Sequence, residues 1–200
     1  MANVKKHIDI FATTISEFEY VADEDLKKEI LNSEFEQIKK SHTSTSNDIN
    51  LQNKNQYKGF VTKIIDTAKE MCDFYGYEYD ELEITNMWIN ISQKNDTHMP
   101  HNHSNNIFSG VWYPFKNKIT PIFFYDPRNV ASFWQPRRKK FNVINSNMIS
   151  YENKQHLGLM FPSWLYHSVP PSQSERISLS WNIIVRGEYG EPNTLQNAYI

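Results

Sequence analysis

Arg176-Ile177-Ser178-Leu179-Ser180-Trp181-Asn182 alternates polar and apolar residues without a break, and its reading decides the fold. Successive side chains of an extended strand point to opposite faces, so Arg176, Ser178 and Ser180 share one face while Ile177, Leu179 and Trp181 share the other. An arginine and two serines on the inner face of a half-buried strand are costly unless something pairs them. The alternative is an arginine at a strand edge with its serines turned outward.

The same period of two governs the chain from Gly76 onward. Short runs at 82–92, 106–113, 121–125, 141–150, 156–161 and 175–186 are rich in β-formers and separated by Pro, Asn and Ser, which predicts a β-sandwich or jelly roll. Before Gly76 the period is helical. Leu26, Ile30, Leu31, Phe35 and Ile38 predict a helix from Asp23 to near Lys39-Lys40, with Asp23-Glu24-Asp25 at its positive end. Phe60, Ile64, Ala68, Met71 and Tyr75 predict a second amphipathic helix. Residues 7–17 are expected to give a leading strand, and the Ser-, Thr-, Asn- and Gln-rich stretch 41–56 an exposed loop. No repeat or linker interrupts the pattern. We therefore expect one domain over 1–200, with helical support at about 20–77, a β core at about 82–186 and a loosely held tail after Gly187.

Composition narrows the function. The chain has 200 residues, 14% of them aromatic and 22% charged, with a net charge of -2. No large basic field calls for nucleic acid. Arg137-Arg138-Lys139-Lys140 is the one concentrated positive run, expected in a solvated loop or strand end and able to attract an anionic substrate. The single Cys72 excludes an intrachain disulfide framework and suits a reducing compartment. Met1 to Tyr20 carries Lys5 and Lys6 and no uninterrupted apolar run, and nowhere do 18 apolar residues follow one another. A cytoplasmic protein with no membrane partner is expected.

Histidines carry the chemistry. His101 and His103 are two apart, so on an extended chain they face one way and can reach one metal; two such residues also suit a polar loop. His98, followed two residues on by Pro100, is out of register and expected at the surface or behind the ligands. His167 strengthens the metal reading. Leu157-Gly158-Leu159-Met160-Phe161-Pro162 has the signature of a buried strand ending in a turn, and Trp164-Leu165-Tyr166-His167 returns the histidine into the fold ahead of Arg176. Imidazoles bind divalent iron, and a planar guanidinium can grip a carboxylate through two parallel hydrogen bonds.

Taken together, His101-Asn-His103, Phe108-Ser109-Gly110-Val111-Trp112-Tyr113-Pro114, Tyr125-Asp126-Pro127-Arg128, Phe161-Pro162-Ser163-Trp164-Leu165-Tyr166-His167 and Arg176 to Asn182 resemble the 2-oxoglutarate- and iron(II)-dependent oxygenases of the prolyl-hydroxylase-like superfamily. The similarity is to a small bacterial and phage branch with SGVYYP-like and FPSWLxH segments, over roughly 82–186. The resemblance implies a mainly β fold with flanking helices, the cupin-like double-stranded β-helix. It implies Fe(II) and 2-oxoglutarate as cofactors, His101 and His167 as metal ligands, Arg176 with Ser178 on the distal carboxylate of 2-oxoglutarate, and Tyr113 against the co-substrate. His103 stands where the usual triad has a carboxylate. Three imidazoles would leave iron(II) its full charge and alter its affinity and redox tuning. Asp126 is the alternative carboxylate, although a residue before proline commonly forms a turn.

The reaction so implied is hydroxylation of a small-molecule or peptide substrate, with release of succinate and CO2. A halogenase is disfavoured, because halide binding needs a small residue at His103. The alternatives are a non-catalytic cupin-like metal-binding or sensing domain, and a three-histidine dioxygenase that needs no 2-oxoglutarate. Trp112, Phe115, Phe124, Phe133 and Trp134 are expected mostly in the core rather than in a pocket. The stretches 41–56 and 126–140 are candidate lids. Neither the substrate nor the oligomeric state can be read from the residues.

Overall fold

Alternation in the last long strand sets the architecture. In the computed structural model, which describes residues 5–7, 10–37, 43–128 and 136–200, the strands are β1 (Ser16–Glu19), β2 (Phe35–Gln37), β3 (Ser44–Ser46), β4 (Glu81–Ser92), β5 (His98–His101), β6 (Phe108–Trp112), β7 (Ile122–Tyr125), β8 (Met148–Tyr151), β9 (Leu157–Pro162), β10 (His167–Val169), β11 (Arg176–Arg186), β12 (Glu188–Tyr189) and β13 (Ala198–Tyr199). The helices are α1 (Glu24–Leu31) and α2 (Lys58–Tyr75). Among the described residues a seven-stranded sheet runs β1-β9-β6-β11-β4-β3-β2 and a four-stranded sheet runs β5-β10-β7-β8. Expectations that fell on Ile8, Ile38, Lys39, Lys40, Phe133 and Trp134 lie outside the described residues.

β11 sits between β6 and β4, and its odd positions Ile177, Leu179, Trp181, Ile183 and Val185 enter a core with Leu26 and Ile30 of α1 and Phe60, Ile64, Ala68 and Met71 of α2. The helices thus cover the outer face of the large sheet. A second core, with Val111, Phe124, Leu159 and Phe161, fills the space between the sheets. Burying a large aliphatic or aromatic side chain is worth roughly 1.5–3 kcal/mol, so the outer core anchors β11 and leaves its even positions to face inward. Gly110 is required where β6 passes β11, since a Cβ there would lie 2.1 Å from the Trp181 ring.

β4 keeps its inner face polar by a slip in its own pattern. Leu82 and Ile84 lie in the outer core, but so do Met87 and Ile89, which an unbroken period of two forbids. The register explains it: Asn182 pairs with Asn86 and Ile183 with Ile84, leaving Thr85 as a bulge. The Thr85 hydroxyl occupies itself with Asn106 Oδ1 at 2.8 Å. Beyond the bulge, Asn86, Trp88 and Asn90 turn toward the inter-sheet cavity.

The N-terminal third departs from expectation. The leading strand lies at Ser16–Glu19 rather than over 7–17, where an antiparallel ladder with β9 fixes it. Asp23 caps α1 by accepting from Leu26 N at 2.8 Å, an interaction worth about 1 kcal/mol. That helix ends at Leu31 with Asn32 as its cap. Phe35 leaves the helical pattern because its backbone pairs with Ser46 in β2–β3. The stretch 41–56 is not simply an exposed loop, since Thr45, Ser46 and Leu51 are buried. Thr45 donates to Asn90 Oδ1 at 3.3 Å and Ser46 to Asp48 O at 2.7 Å. Polar residues can be buried where such bonds replace water. Within 141–150 only Met148 onward is strand, because Asn142 Oδ1 accepts from Ile144 N at 2.9 Å and folds the preceding residues into a turn. α2 matches expectation and closes on Gly76 in the left-handed region at φ 68°. Past Gly187, β12 and β13 form an exposed two-stranded ribbon. None of the helices among the described residues is long and apolar enough to cross a membrane.

Candidate active site

Two sheets bring the histidines together from separate parts of the chain. β10 places His167 opposite His101 of β5 on one side and opposite Phe124 of β7 on the other. His103 lies just past β5, fixed by its backbone N–H donating to Ser163 O at 2.9 Å. The ring centroids of His101 and His167 are 4.4 Å apart, and His103 stands 5.2 Å from each. One ring nitrogen from each of the three falls within 4.8 Å of the others. Among the described residues the group of three is completed by a histidine and not by a carboxylate.

The tautomers of two rings follow from their partners. Nδ1 of His101 donates to Met99 O at 2.7 Å, and Nδ1 of His167 donates to Leu165 O at 2.9 Å. A carbonyl can only accept, so the proton resides on Nδ1 and Nε2 keeps its lone pair for a metal. Burial holds the His167 imidazolium down to a pKa of about 3, and burial with the nearby His101 holds that of His103 down to about 4. Neutral imidazoles are the form that binds cations.

His98 lines the same cavity, half-buried, with its ring 6.2 Å from that of His101, and stays outside the group of three. Asp126 is drawn elsewhere. Its carboxylate is held by Arg128 at 2.7 Å, which keeps its pKa below the usual range, and it borders a separate basic cavity with Arg137 and Arg138. The aspartate therefore does not join the histidines.

Arg176 is the other unusual side chain. It is 98% removed from solvent, and its guanidinium carbon lies 5.5 Å from the ring centroid of Tyr113. Nη2 donates to Ser178 Oγ at 3.4 Å, while Nε, Nη1 and the Tyr113 hydroxyl are buried without a hydrogen-bond partner. Burial pushes the arginine pKa down and the tyrosine pKa up. Orphaned buried donors beside a cavity fit an anionic acceptor that reaches in from it. Arg176, Ser178 and Tyr113 all line the cavity of about 500 Å³ that also holds the three histidines.

Several cavity residues escaped the sequence reading. Asn86, Trp88 and Asn90 of β4 and Thr45 of β3 line the cavity; their signal was present as alternation in 86–90, but the bulge at Thr85 hid which face it marked. Of the aromatic residues named as core, Trp112 lies under α2 and Phe124 between the sheets, with Phe115 packed half-buried against the outer core.

Residues 86–182 match the family model described as "Putative 2OG-Fe(II) oxygenase". A comparison with curated proteins finds no match. Among solved structures, a Pseudomonas putida prolyl-4-hydroxylase is similar with a TM-score of 0.61 at 11% identity, covering 87% of this chain and 94% of that one. A prolyl hydroxylase from Trichoplax adhaerens, in complex with a hypoxia inducible factor peptide fragment, gives 0.59 at 9% identity over 86% and 83%. A Streptomyces hygroscopicus protein with nickel and 2-oxoglutarate bound gives 0.58 at 8% identity over 94% and 92%. These likenesses establish the jelly-roll fold. On that fold, the matched segment running from the cavity face of β4 to Asn182 of β11 is similar to the 2OG-Fe(II) oxygenase family.

Proposed function

We propose that the chain is an iron(II)- and 2-oxoglutarate-dependent hydroxylase in which His101, His103 and His167 hold the metal, and Arg176 with Ser178 and Tyr113 holds 2-oxoglutarate. The observation that carries this reading is Arg176, a buried cation whose Nε and Nη1 lack partners in the cavity that contains the histidines. A metal-binding domain without turnover, or a three-histidine dioxygenase using no 2-oxoacid, leaves that cation without a purpose. Its burial without a partner costs several kcal/mol by general measure.

Within this reading each residue has a defined task. The two carbonyl-anchored imidazoles present Nε2 in fixed directions, and His103 contributes a third neutral donor. Three neutral donors do not diminish a dication's charge, so an anionic co-substrate gains the full attraction. The guanidinium of Arg176 grips the distal carboxylate, Ser178 steadies its Nη2, and the Tyr113 hydroxyl is free to donate to the same carboxylate. Val111, Ile122 and Phe161 form apolar walls that limit water around these charges and strengthen them. When bound, iron(II) with 2-oxoglutarate and dioxygen supplies the oxidant, one 2-oxoglutarate becoming succinate and CO2 for each oxygen atom delivered to a small-molecule or peptide substrate.

Anaerobic addition of iron(II) and 2-oxoglutarate tests the reading. A metal-to-ligand charge-transfer band, followed by succinate on admitting air, is expected. Oxygen uptake that proceeds without any 2-oxoacid would replace it with the three-histidine dioxygenase.

A further inference from the structure

Beyond the histidines and Arg176, the cavity keeps one wall that neither the metal nor 2-oxoglutarate uses. We propose that this wall, formed by Asn86, Trp88, Asn90, Ser180 and Asn182, seats the substrate and selects an uncharged, oxygen-bearing group such as a hydroxyl, ether or amide carbonyl laid against the indole of Trp88. The inference rests on the hydroxylase reading above and adds the substrate class.

Placement comes from the register of β4 and β11. Ser178 pairs with Asn90, Ser180 with Trp88 and Asn182 with Asn86, so these side chains form a continuous rail on the cavity side of the large sheet. Arg176 and Ser178 take one end of that rail for the co-substrate. Trp88 is close enough to the metal cluster to present a bound group to it, since its ring centroid lies 6.0 Å from that of His103, inclined by 34°. An indole face offers a broad apolar platform on which sugar rings, amides and other flat neutral groups can lie.

The amides of the rail are already oriented. Asn182 Nδ2 donates to Asn86 Oδ1 at 2.8 Å, and Ser109 Oγ donates to Asn182 Oδ1 at 2.8 Å. Asn90 Nδ2 donates to Ser180 Oγ at 3.2 Å, and the Asn90 Oδ1 accepts from Thr45. Asn86 Oδ1 thereby accepts twice, from Asn182 and Thr85, and the Asn90 and Asn182 oxygens once each, so the rail has more donors to spare, Asn86 Nδ2 and the Ser180 hydroxyl among them, than acceptor positions. A ligand that matches them offers oxygen acceptors. Fixed donors of this kind reject an analogue that cannot accept from them more strongly than an apolar wall could.

Charge supplies the rest of the selection. Among the described residues the cavity lining contains no Asp, Glu or Lys, and its one permanent charge is Arg176, which the co-substrate neutralises. A substrate ammonium pressed against Trp88 would lose its hydration and find no counter-charge, and a carboxylate would be drawn off the indole toward the positive charge left at the loaded metal rather than lie on this wall. The neutral member of any substrate series is therefore favoured.

The test uses the full chain loaded anaerobically with iron(II) and 2-oxoglutarate, titrated calorimetrically with matched probes. On a pyranose scaffold these are methyl glucoside, glucuronate and glucosamine; on an amide scaffold, N-acetylprolinamide, N-acetylproline and prolinamide. On at least one scaffold the neutral member should bind saturably at millimolar concentration and its charged partners at least about tenfold more weakly, a ratio equivalent to roughly 1.4 kcal/mol. Trp88→Ala should abolish that binding while the charge-transfer band persists. Asn86→Asp, nearly the same shape, should favour the cationic probe of the same scaffold. Charged probes binding as well as neutral ones, no neutral probe binding, or an Asn86→Asp protein with unchanged preference would each overturn the proposal. Loss of the charge-transfer band in the unaltered protein would instead remove the hydroxylase reading on which it stands.

Discussion

Arg176 at the start of β11 and Tyr113 just past the end of the neighbouring β6 meet on the same sheet beside the inter-sheet cavity, the guanidinium carbon 5.5 Å from the phenol ring centroid, and both carry buried polar atoms without partners. Each is a cost to the cofactor-free protein that an entering carboxylate would relieve. The pair therefore ties stability and co-substrate binding to the same atoms, and changes at either should move the two quantities in opposite directions.

Arg176→Met is expected to show this directly. Removing the unpaired buried cation should leave the cofactor-free protein as stable or more stable, seen as an equal or higher Tm. Removing one partner of a buried charge pair costs about 2–5 kcal/mol, so 2-oxoglutarate affinity should fall at least roughly thirtyfold by calorimetry. A variant that lost stability yet kept its affinity would show that Arg176 is structural.

His98, outside the group of three but beside His101, gives a pH dependence of its own. Burial, reinforced by the positive charge of Arg176, holds its folded pKa down at about 3 against an ordinary 6.5. Below pH 6.5 the unfolded chain takes up a proton at this residue that the folded chain refuses, so stability is lost as pH falls from about 6.5 toward 3. Above pH 6.5 both states are neutral and the residue contributes no slope. His98→Gln should therefore gain Tm relative to the parent progressively on acidification through that window and match it in slope at pH 7–8. Parallel curves throughout would contradict the burial of a neutral imidazole.

His103 can be tested by restoring the residue type that the wider family pattern carries there. His103→Asp adds one negative charge beside His101 and His167. If the three side chains share a metal, iron(II) affinity should persist or tighten, and the charge-transfer band should move in energy because the metal's net charge has changed. His103→Leu removes a ligand outright and should weaken metal binding by more than the roughly 10–100-fold seen when a site loses only an outer supporting partner. Unaltered affinity in His103→Leu would remove this residue from the site.

Long-range pairing decided what could be read from sequence. His101, His167, Arg176 and Ser178 were legible because alternation and motif order mark them in continuous segments, and α2 was legible because Phe60, Ile64, Ala68 and Met71 repeat at helical spacing. Phe35 continued the helical spacing of α1 yet went to a strand, because its partner Ser46 is invisible to a local window. Thr45 looked like loop chemistry and is buried for the same reason, its hydroxyl bonded to Asn90 from a distant strand. Side chains on the wall beside Trp88 were hidden by a single unpaired residue.

That residue, Thr85, carries a consequence for both core and site. Deleting it would restore an uninterrupted period of two in β4, so either Leu82 and Ile84 or Met87 and Ile89 must leave the outer core. Two large aliphatic side chains lost from burial amount to about 3–6 kcal/mol, a large share of a domain's stability. Thr85→Ala keeps the residue count and sacrifices only the hydroxyl's bonds to Asn106, Asn86 and the Asn182 carbonyl, at about 1 kcal/mol. Denaturant midpoints should separate the two changes clearly, the deletion unfolding at much lower denaturant than the alanine variant. Comparable effects would mean that the hydroxyl rather than the bulge sets the register, and that Asn86, Trp88 and Asn90 owe their inward direction to side-chain bonding alone.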